Sequence, residues 1–126
     1  MAWAHGEFYW NELNTRDPED AKKFYAATLG WSYEAMPMAG GTTYWVAKAN
    51  GEAVAGIFDI SAPEFEEVPE SWTAYIAVDN VDDRAAKAVA AGAKIMKPAF
   101  DVPGVGRIVI LLDPGDATIA IMTPSS

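Results

Sequence analysis

The chain has 126 residues, no cysteine and a formal net charge of −9 at pH 7. This length predicts a single domain, and the absence of cysteine excludes disulfides, zinc–thiolate centres and cysteine nucleophiles. The negative charge argues against nucleic acid and anionic membranes as partners, because both are negatively charged themselves.

The first half of the chain predicts a strand, a helix and three further strands. In the strand at residues 7–14, the period of two places Phe8, Trp10 and Glu12 on one face. Asp17 is predicted to cap the helix that follows, and Gly30 to end it. The apolar positions that this helix is expected to bury are Ala21, Phe24, Tyr25 and Leu29. Three antiparallel strands are predicted at residues 31–36, 42–49 and 52–60.

The second half repeats this order after a connector. Residues 61–71 are rich in proline and glutamate, and a solvated linker and a lid over a ligand are the alternatives for them. A strand is then predicted at 72–78 and a helix from about 81 to 91, ending at Gly92. The last three strands are predicted at 94–97, 106–112 and 117–123.

The two halves are copies of one pattern. The segment 13–21 is matched 63 residues later by 76–84, and each copy runs strand, acidic turn, helix, glycine and strands. The predicted fold is therefore α+β, with two βαβββ modules at about 5–60 and 72–124 that form curved antiparallel sheets around a concave cup. A functional site is expected where the copies meet.

Four segments carry a resemblance to a known family. They are DPEDAKKFY at 17–25, TLGW at 28–31, IAVDNVD at 76–82 and LLDPGD at 111–116. These segments resemble the vicinal oxygen chelate superfamily, which includes glyoxalase I, the extradiol dioxygenases, and the bleomycin and fosfomycin resistance proteins. The resemblance covers nearly the whole chain and implies one glyoxalase/bleomycin resistance-like domain that pairs as a homodimer.

Enzymes of that superfamily hold a divalent metal with one residue from each of four strands. The resemblance places those positions at Trp10, Gly56, Thr73 and Ala120. Indole, hydrogen and methyl groups cannot coordinate a metal, and a single threonine hydroxyl is a poor ligand. The only histidine, His5, precedes the first strand. We therefore expect no metal and no other cofactor, and no metal-dependent glyoxalase or dioxygenase activity.

Aromatic and small side chains take the place of the metal ligands. They are predicted to form a cup for a flat organic molecule, in which Gly56 and Ala120 leave volume for the ligand. The predicted ligand-binding residues are Phe8, Trp10, Glu12, Trp45, Gly56, Phe58, Thr73, Tyr75, Ala120 and Met122. Glu12 is interpreted as a cation-binding group or a general base, with Tyr75 as a hydrogen-bond donor; contact with water or Arg16 is the alternative for Glu12.

Three functions follow from this site. The favoured one is a metal-free binding protein that sequesters an aromatic compound, similar to the drug-sequestering resistance members of the superfamily; the negative charge favours a cationic compound. The second is a metal-independent lyase, isomerase or hydroxylase-type enzyme with Glu12 and Tyr75 as catalytic residues. The third is a dimeric accessory protein without catalysis. Discriminating substitutions are Trp10→Ala for binding and Glu12→Gln for turnover.

No membrane or secretory segment is predicted. The longest apolar run, at residues 108–112, is far too short to cross a bilayer. The first residues lack a basic stretch followed by an apolar run, so no signal peptide is expected. We expect a cytoplasmic protein.

Overall fold

A computed structural model describes residues 3–125. Within these, residues 10–72 form one compact unit, and residues 3–9 together with 73–125 form another. Each unit contains a strand, a helix and three further strands in that order. The predicted α+β class and the duplicated βαβββ order are confirmed.

The unit of residues 10–72 is built on strands β1 to β4 and helix α1. Its elements are β1 (Phe8–Thr15, of which 10–15 belong to this unit), α1 (Pro18–Leu29), β2 (Ser32–Pro37), β3 (Thr43–Ala49) and β4 (Glu52–Asp59). A carboxylate oxygen of Asp17 accepts a hydrogen bond from the Asp20 amide at 3.0 Å, so Asp17 caps α1 as predicted. Gly30 ends α1 in the left-handed conformation, with φ of 74°.

The sheet of this unit is mixed. Its strand order is β2-β3-β4-β1, with antiparallel β2–β3 and β3–β4 pairs and a parallel β1–β4 pair. The prediction of antiparallel pairing throughout is therefore wrong for β1 and β4. Helix α1 carries the chain back across the sheet, so β2 runs in the same direction as β1. The hairpins β2–β3 and β3–β4 each reverse the chain, so β4 also runs in the direction of β1.

The other unit has the same design with strands β5 to β8 and helix α2. Its elements are β5 (Ser71–Ala77, of which 73–77 belong to this unit), α2 (Val81–Ala90), β6 (Lys94–Val102), β7 (Gly106–Leu112) and β8 (Thr118–Pro124). The strand order is β5-β8-β7-β6, and β5 and β8 are parallel. Glu12 pairs with Gly56 in one unit and Tyr75 with Ala120 in the other, at offsets of 63 and 64 residues. These registers agree with the offsets of the internal repeat.

Strand β6 is longer than predicted, because the sequence pattern ended it at Lys97. The structure continues it through Pro98 to Val102. The register between β6 and β7 shifts between Lys97 and Phe100, and β6 is the last strand in the order of its unit. A proline without an N–H is tolerated at such an irregular edge, where no ladder hydrogen bond is lost.

Each helix lies against one face of its own sheet. In the second unit, Val81 of α2 packs with Val109 and Leu111 of β7. Helix α1 has no buried residue, and Phe24 and Leu29 are 57% and 58% exposed. Their expected burial is therefore wrong, whereas Ala21, Lys22 and Tyr25 are partly buried and Lys22 contacts Trp45 of β3. Among residues 3–125, no helix is long and apolar enough to cross a lipid bilayer.

Candidate functional site

The candidate site lies on the face of the β1–β4 sheet that is opposite α1. Glu12 and Val46 each pair with Gly56, so the side chains of these three positions point to one side of the sheet. Alternation along the strands adds further residues to this side. We call the set Trp10, Glu12, Tyr44, Gly56 and Phe58 the Tyr44 face.

Three polar side chains on the Tyr44 face form a hydrogen-bonded chain. The indole Nε1–H of Trp10 donates to the Tyr44 hydroxyl at 3.0 Å, and that hydroxyl is also hydrogen-bonded to the Glu12 carboxylate. Burial raises the pKa of the Tyr44 phenol far above its ordinary value, and the negative charge of Glu12 raises that pKa further. Tyr44 therefore stays neutral and donates its proton toward Glu12 while it accepts from Trp10.

Gly56 makes room for this arrangement. A Cβ atom at Gly56 would collide with the hydroxyl and ring of Tyr44. The prediction that Gly56 leaves volume for a ligand is therefore wrong, because the end of the Tyr44 side chain fills that volume. One of the positions that the family resemblance assigns to a metal ligand is thus covered by a neutral phenol.

The chemistry of these groups does not fit a divalent metal. An indole N–H is only a donor, and a phenol with a raised pKa offers no anionic oxygen. Glu12 is the one carboxylate of the Tyr44 face. Across residues 3–125, no group of three or more His, Asp or Glu side chains is arranged to hold a metal ion. The described residues therefore do not supply the centre that the resemblance implies.

The predicted site residues of the second unit are buried. Tyr75 pairs with Ala120, and Ala77 with Met122, on the face of β5 and β8 opposite α2. The exposed fractions are 6% for Thr73, 5% for Tyr75, 0% for Ala120 and 1% for Met122. Their roles in ligand binding stay predictions.

One other predicted residue, Trp45, does not lie on the Tyr44 face, and Phe8 lies outside the unit that carries this face. Trp45 pairs with Ile57, on the side of the sheet that carries α1, and the ammonium group of Lys22 lies 3.1 Å from the centroid of the Trp45 ring. This placement argues against contact of Trp45 with a ligand on the Tyr44 face. Phe8 belongs to the second unit and is 71% exposed.

A hollow of about 440 Å³ lies in the second unit, beside the start of α2. Arg107 crosses it and donates to Asp82 at 2.9 Å and to Asp101 at 3.0 Å. None of the predicted site residues lines this hollow. Because Arg107 is already bound to two aspartates of this hollow, the Tyr44 face is the better candidate for a functional site.

Tyr44 is absent from the ligand-binding residues predicted from the sequence. An isolated glycine within a strand often marks the close approach of another group, and Gly56 is such a glycine. That signal shows that some group approaches β4. It does not identify the group, because the register of β3 against β4 was unknown.

Comparisons with known proteins agree with this fold and with the family resemblance. The sequence profile of the Glyoxalase/Bleomycin resistance protein/Dioxygenase superfamily matches residues 8–121. The solved structure of methylmalonyl-CoA epimerase from Streptomyces coelicolor superposes with a TM-score of 0.67 at 15% identity, over 98% of this chain and 100% of that one. At this identity the likeness supports the fold alone.

Two curated relatives are similar in sequence. The "Putative glyoxylase CFP32" of Mycobacterium tuberculosis is 42% identical over 113 residues, which are 89% of this chain and 43% of that protein. The anthracycline biosynthesis protein DnrV of Streptomyces peucetius is 26% identical over 130 residues, covering 94% and 47% respectively. The chain thus spans less than half the length of these relatives. By its match over nearly all of its residues, the chain belongs to the Glyoxalase/Bleomycin resistance protein/Dioxygenase superfamily.

Proposed function

We propose that this chain binds a flat, cationic aromatic compound on the Tyr44 face without the help of a metal. The observation that carries the proposal is the hydrogen-bonded chain of Trp10, Tyr44 and Glu12. It places an indole ring beside a carboxylate on a part of the sheet where metal enzymes of the superfamily would hold their ion. Such a pair recognises a planar cation, by stacking on the ring and by attraction to the carboxylate.

A ligand can approach the Glu12 side chain. Glu12 is only partly buried, so a cation does not have to displace packed core atoms to approach it. The net charge of −9 would raise the local concentration of cations around the chain.

The name of one relative supports an aromatic ligand. DnrV is named as an anthracycline biosynthesis protein, and anthracyclines are flat polycyclic compounds. The relative covers this chain almost completely but is about twice as long. The similarity favours a flat aromatic compound as the ligand. The experiments below distinguish sequestration of this compound from a reaction on it.

Fluorescence titration with two probes of similar size tests the proposal. Proflavine is a planar cation at neutral pH, and acridone is a neutral three-ring analogue. We expect tighter binding of proflavine, and Trp10→Ala should weaken the binding of both by about tenfold, the equivalent of about 1.4 kcal/mol. Glu12→Gln should weaken the binding of proflavine alone.

A matched tryptophan substitution controls this experiment. Trp72 is 42% exposed and bonds to the Tyr25 hydroxyl, away from the Tyr44 face. Trp72→Ala should leave both affinities unchanged. Wild-type affinity in Trp10→Ala would contradict the proposal, as would a stoichiometric divalent ion in native mass spectrometry of protein purified without chelator.

A metal-independent enzyme is the second candidate. The favouring observation is the Tyr44–Glu12 hydrogen bond, which fixes a carboxylate on the sheet face as a general base requires. The relative named as a glyoxylase gives a first substrate to test. Consumption of methylglyoxal and a thiol by chelator-treated protein, lost in Glu12→Gln, would establish this candidate; no turnover in the wild type would leave the binding function.

We also propose that the chain forms a homodimer, since a twofold pair is the commonest assembly of single-domain chains. The same native mass spectrum reports the subunit number. A dimer that binds neither probe and shows no turnover would favour an accessory role instead.

A further inference from the structure

The connector of residues 61–71 is tied to the end of strand β1. The Arg16 guanidinium donates through Nη2 to the carbonyl oxygens of Phe65, Glu66 and Val68, at 3.0, 3.0 and 2.7 Å. The backbone amide of Arg16 donates to a Glu70 carboxylate oxygen at 2.9 Å. One arginine thus holds four points of the connector.

The Glu70 side chain, which accepts the hydrogen bond from the Arg16 amide, is ionised. A hydrogen bond from the Thr15 side chain, followed by that from the Arg16 amide, holds the pKa of Glu70 below its ordinary value. Glu70 therefore remains a carboxylate at neutral pH and keeps accepting these bonds. Three of the contacts of Arg16 are to backbone carbonyl oxygens, so they fix the path of the chain from Phe65 to Val68 whatever the side chains there.

This path places Phe65 against the Tyr44 face. The Phe65 ring meets the Phe58 ring edge to face, with centroids 5.4 Å apart and an interplanar angle of 82°. Phe58 pairs with Asn14, two residues beyond the Glu12–Gly56 pair, and so shares their side of the sheet. Both rings are only partly buried, so each keeps surface that a ligand can touch.

We propose that Phe65 is a ligand-contacting residue that closes one end of the Tyr44 face, and that Arg16 is the residue that positions it. This inference rests on the proposed binding of a planar cation. Because the Phe65 ring packs edge to face on Phe58, it lies across one end of the Tyr44 face, where it would contact the edge of a flat ligand. Glu64 and Glu66 flank Phe65 in the sequence and are exposed, which adds negative charge beside Phe65 and suits the same cation.

A double-mutant cycle with proflavine tests the inference on the full chain. Phe65→Ala should weaken proflavine binding about three- to tenfold, the range expected for one aromatic contact. Arg16→Ala should weaken it by a similar factor, because it acts through the position of Phe65. The double variant should then bind no more weakly than either single variant, and Arg16→Lys, which keeps a donor at this position, should recover part of the affinity.

Two surface variants are the matched controls. Lys23→Ala removes the same charge as Arg16→Ala, and the exposed Lys23 side chain makes no hydrogen bond or ion pair within residues 3–125. Glu67→Gln alters an exposed connector residue whose side chain likewise has no such partner among the described residues. Both should bind proflavine as the wild type does. Amide hydrogen exchange should accelerate in residues 65–70 of Arg16→Ala and not of Lys23→Ala.

The outcomes separate this inference from the proposed function. Loss of binding in Trp10→Ala together with unchanged binding in Phe65→Ala would overturn the inference and leave the proposed function standing. Additive losses in the double variant would overturn the positioning role of Arg16, since the two residues would then act independently. Wild-type proflavine binding in Trp10→Ala, or none in the wild type, would overturn the proposed function and the inference with it.

Discussion

Gly56 and Tyr44 are complementary at the scale of single residues. Gly56 is buried in β4, and the Tyr44 hydroxyl occupies the space that any larger side chain there would need. The equivalent position of the second module is Ala120, which pairs with Ile110 of β7 and is fully buried. The residue that corresponds to Tyr44 in that copy, 64 positions later, is Ile108. The two modules have thus diverged at this pair of positions.

Gly56→Ala should therefore lower the free energy of unfolding by about 1–3 kcal/mol, because the added methyl group forces the Tyr44 ring out of its place. Urea denaturation measures this cost. In a Tyr44→Leu background the destabilisation caused by Gly56→Ala should be much smaller, because leucine lacks the ring and the hydroxyl of tyrosine. Gly115→Ala is the control, because its added Cβ would meet its nearest atom, Asp113 Oδ1, at an ordinary 3.5 Å. Equal costs of Gly56→Ala in both backgrounds would contradict the explanation.

The positions of some residues of the candidate site could be predicted from the sequence, and those of others could not. Trp10 and Glu12 were placed on one face of β1 by alternation alone, and the structure gives Glu12 that side through its pairing with Gly56. Tyr44 could not be placed, because its contact with Gly56 depends on cross-strand register. Trp45 was assigned to the ligand face, and the Asn50-Gly51 turn alone would pair it with Gly56. The register shift between Ala47 and Lys48 pairs Trp45 with Ile57 instead, on the side of α1.

At the scale of elements, α1 is attached to its sheet by an unusual contact. Lys22 lies over the Trp45 ring and also pairs with Glu19 at 2.9 Å, and its side chain is only 15% exposed. The carbonyl oxygen of Lys22 accepts a hydrogen bond from the Tyr33 hydroxyl at 3.0 Å. Because α1 buries no residue fully, these contacts replace part of the apolar packing that usually holds a helix.

Lys22→Met should lower the free energy of unfolding by about 0.5–2 kcal/mol, because the aliphatic stem is kept while the cation–π attraction is lost. Lys23→Met, on the exposed side of α1, should change stability by less than about 0.5 kcal/mol. Proflavine affinity should be the same in both variants, since Trp45 is on the opposite side from the Tyr44 face. A weaker affinity in Lys22→Met would return Trp45 to the ligand site.

An exposed ion pair lies at the start of α2 in the second unit. Asp79 accepts from Nε and Nη2 of Arg84 at 2.9 and 3.0 Å, and its own amide donates to His5 Nδ1 at 3.0 Å. The hydrogen bonds from Arg84 hold the pKa of Asp79 well below its ordinary value of 3.8. The native state thus binds this proton less readily than the unfolded chain does.

A lowered pKa in the native state stabilises the fold at pH values above the unfolded pKa, and this stabilisation is lost as the pH falls through the lowered value. The difference in unfolding free energy between wild type and Asp79→Asn should therefore be largest at neutral pH and should shrink below about pH 4. Urea denaturation across pH 7 to pH 3 checks it. Asp116→Asn removes the same charge from an exposed pair with Lys94 at 3.6 Å and is the control. A difference that grows toward acid would have the wrong sign.

The order of the helices and strands could be predicted from the sequence more completely than the pairing of the strands. Caps and turns are local, so Asp17, Gly30 and the Asn50-Gly51 turn marked element ends correctly. The parallel pairing of β1 with β4 is not local, since it depends on the direction in which α1 returns the chain. The contacts of the connector were equally hidden, because Arg16 is separated from its carbonyl partners by about fifty residues of chain.

At the scale of the whole molecule, net charge bears on the proposed binding of a cationic ligand. The chain carries 18 acidic and 9 basic residues, and the connector adds glutamates close to Phe65. Several basic residues are already paired, among them Arg84 with Asp79 and Arg107 with Asp82 and Asp101. A cationic ligand is attracted both by Glu12 at short range and by this net negative field at long range.

Salt should separate these two contributions. Raising the ionic strength from about 0.01 to about 0.15 M shortens the Debye length from about 30 to about 8 Å, which screens the long-range field and spares contacts at the site. The dissociation constant of proflavine should rise about three- to tenfold in this range, while that of acridone should change less than about twofold. Glu12→Gln should keep most of this salt dependence, because the field of the other acidic residues remains. A salt dependence equal for both probes would show that net charge has no part in recognition, and would leave the Tyr44 face to select ligands by shape alone.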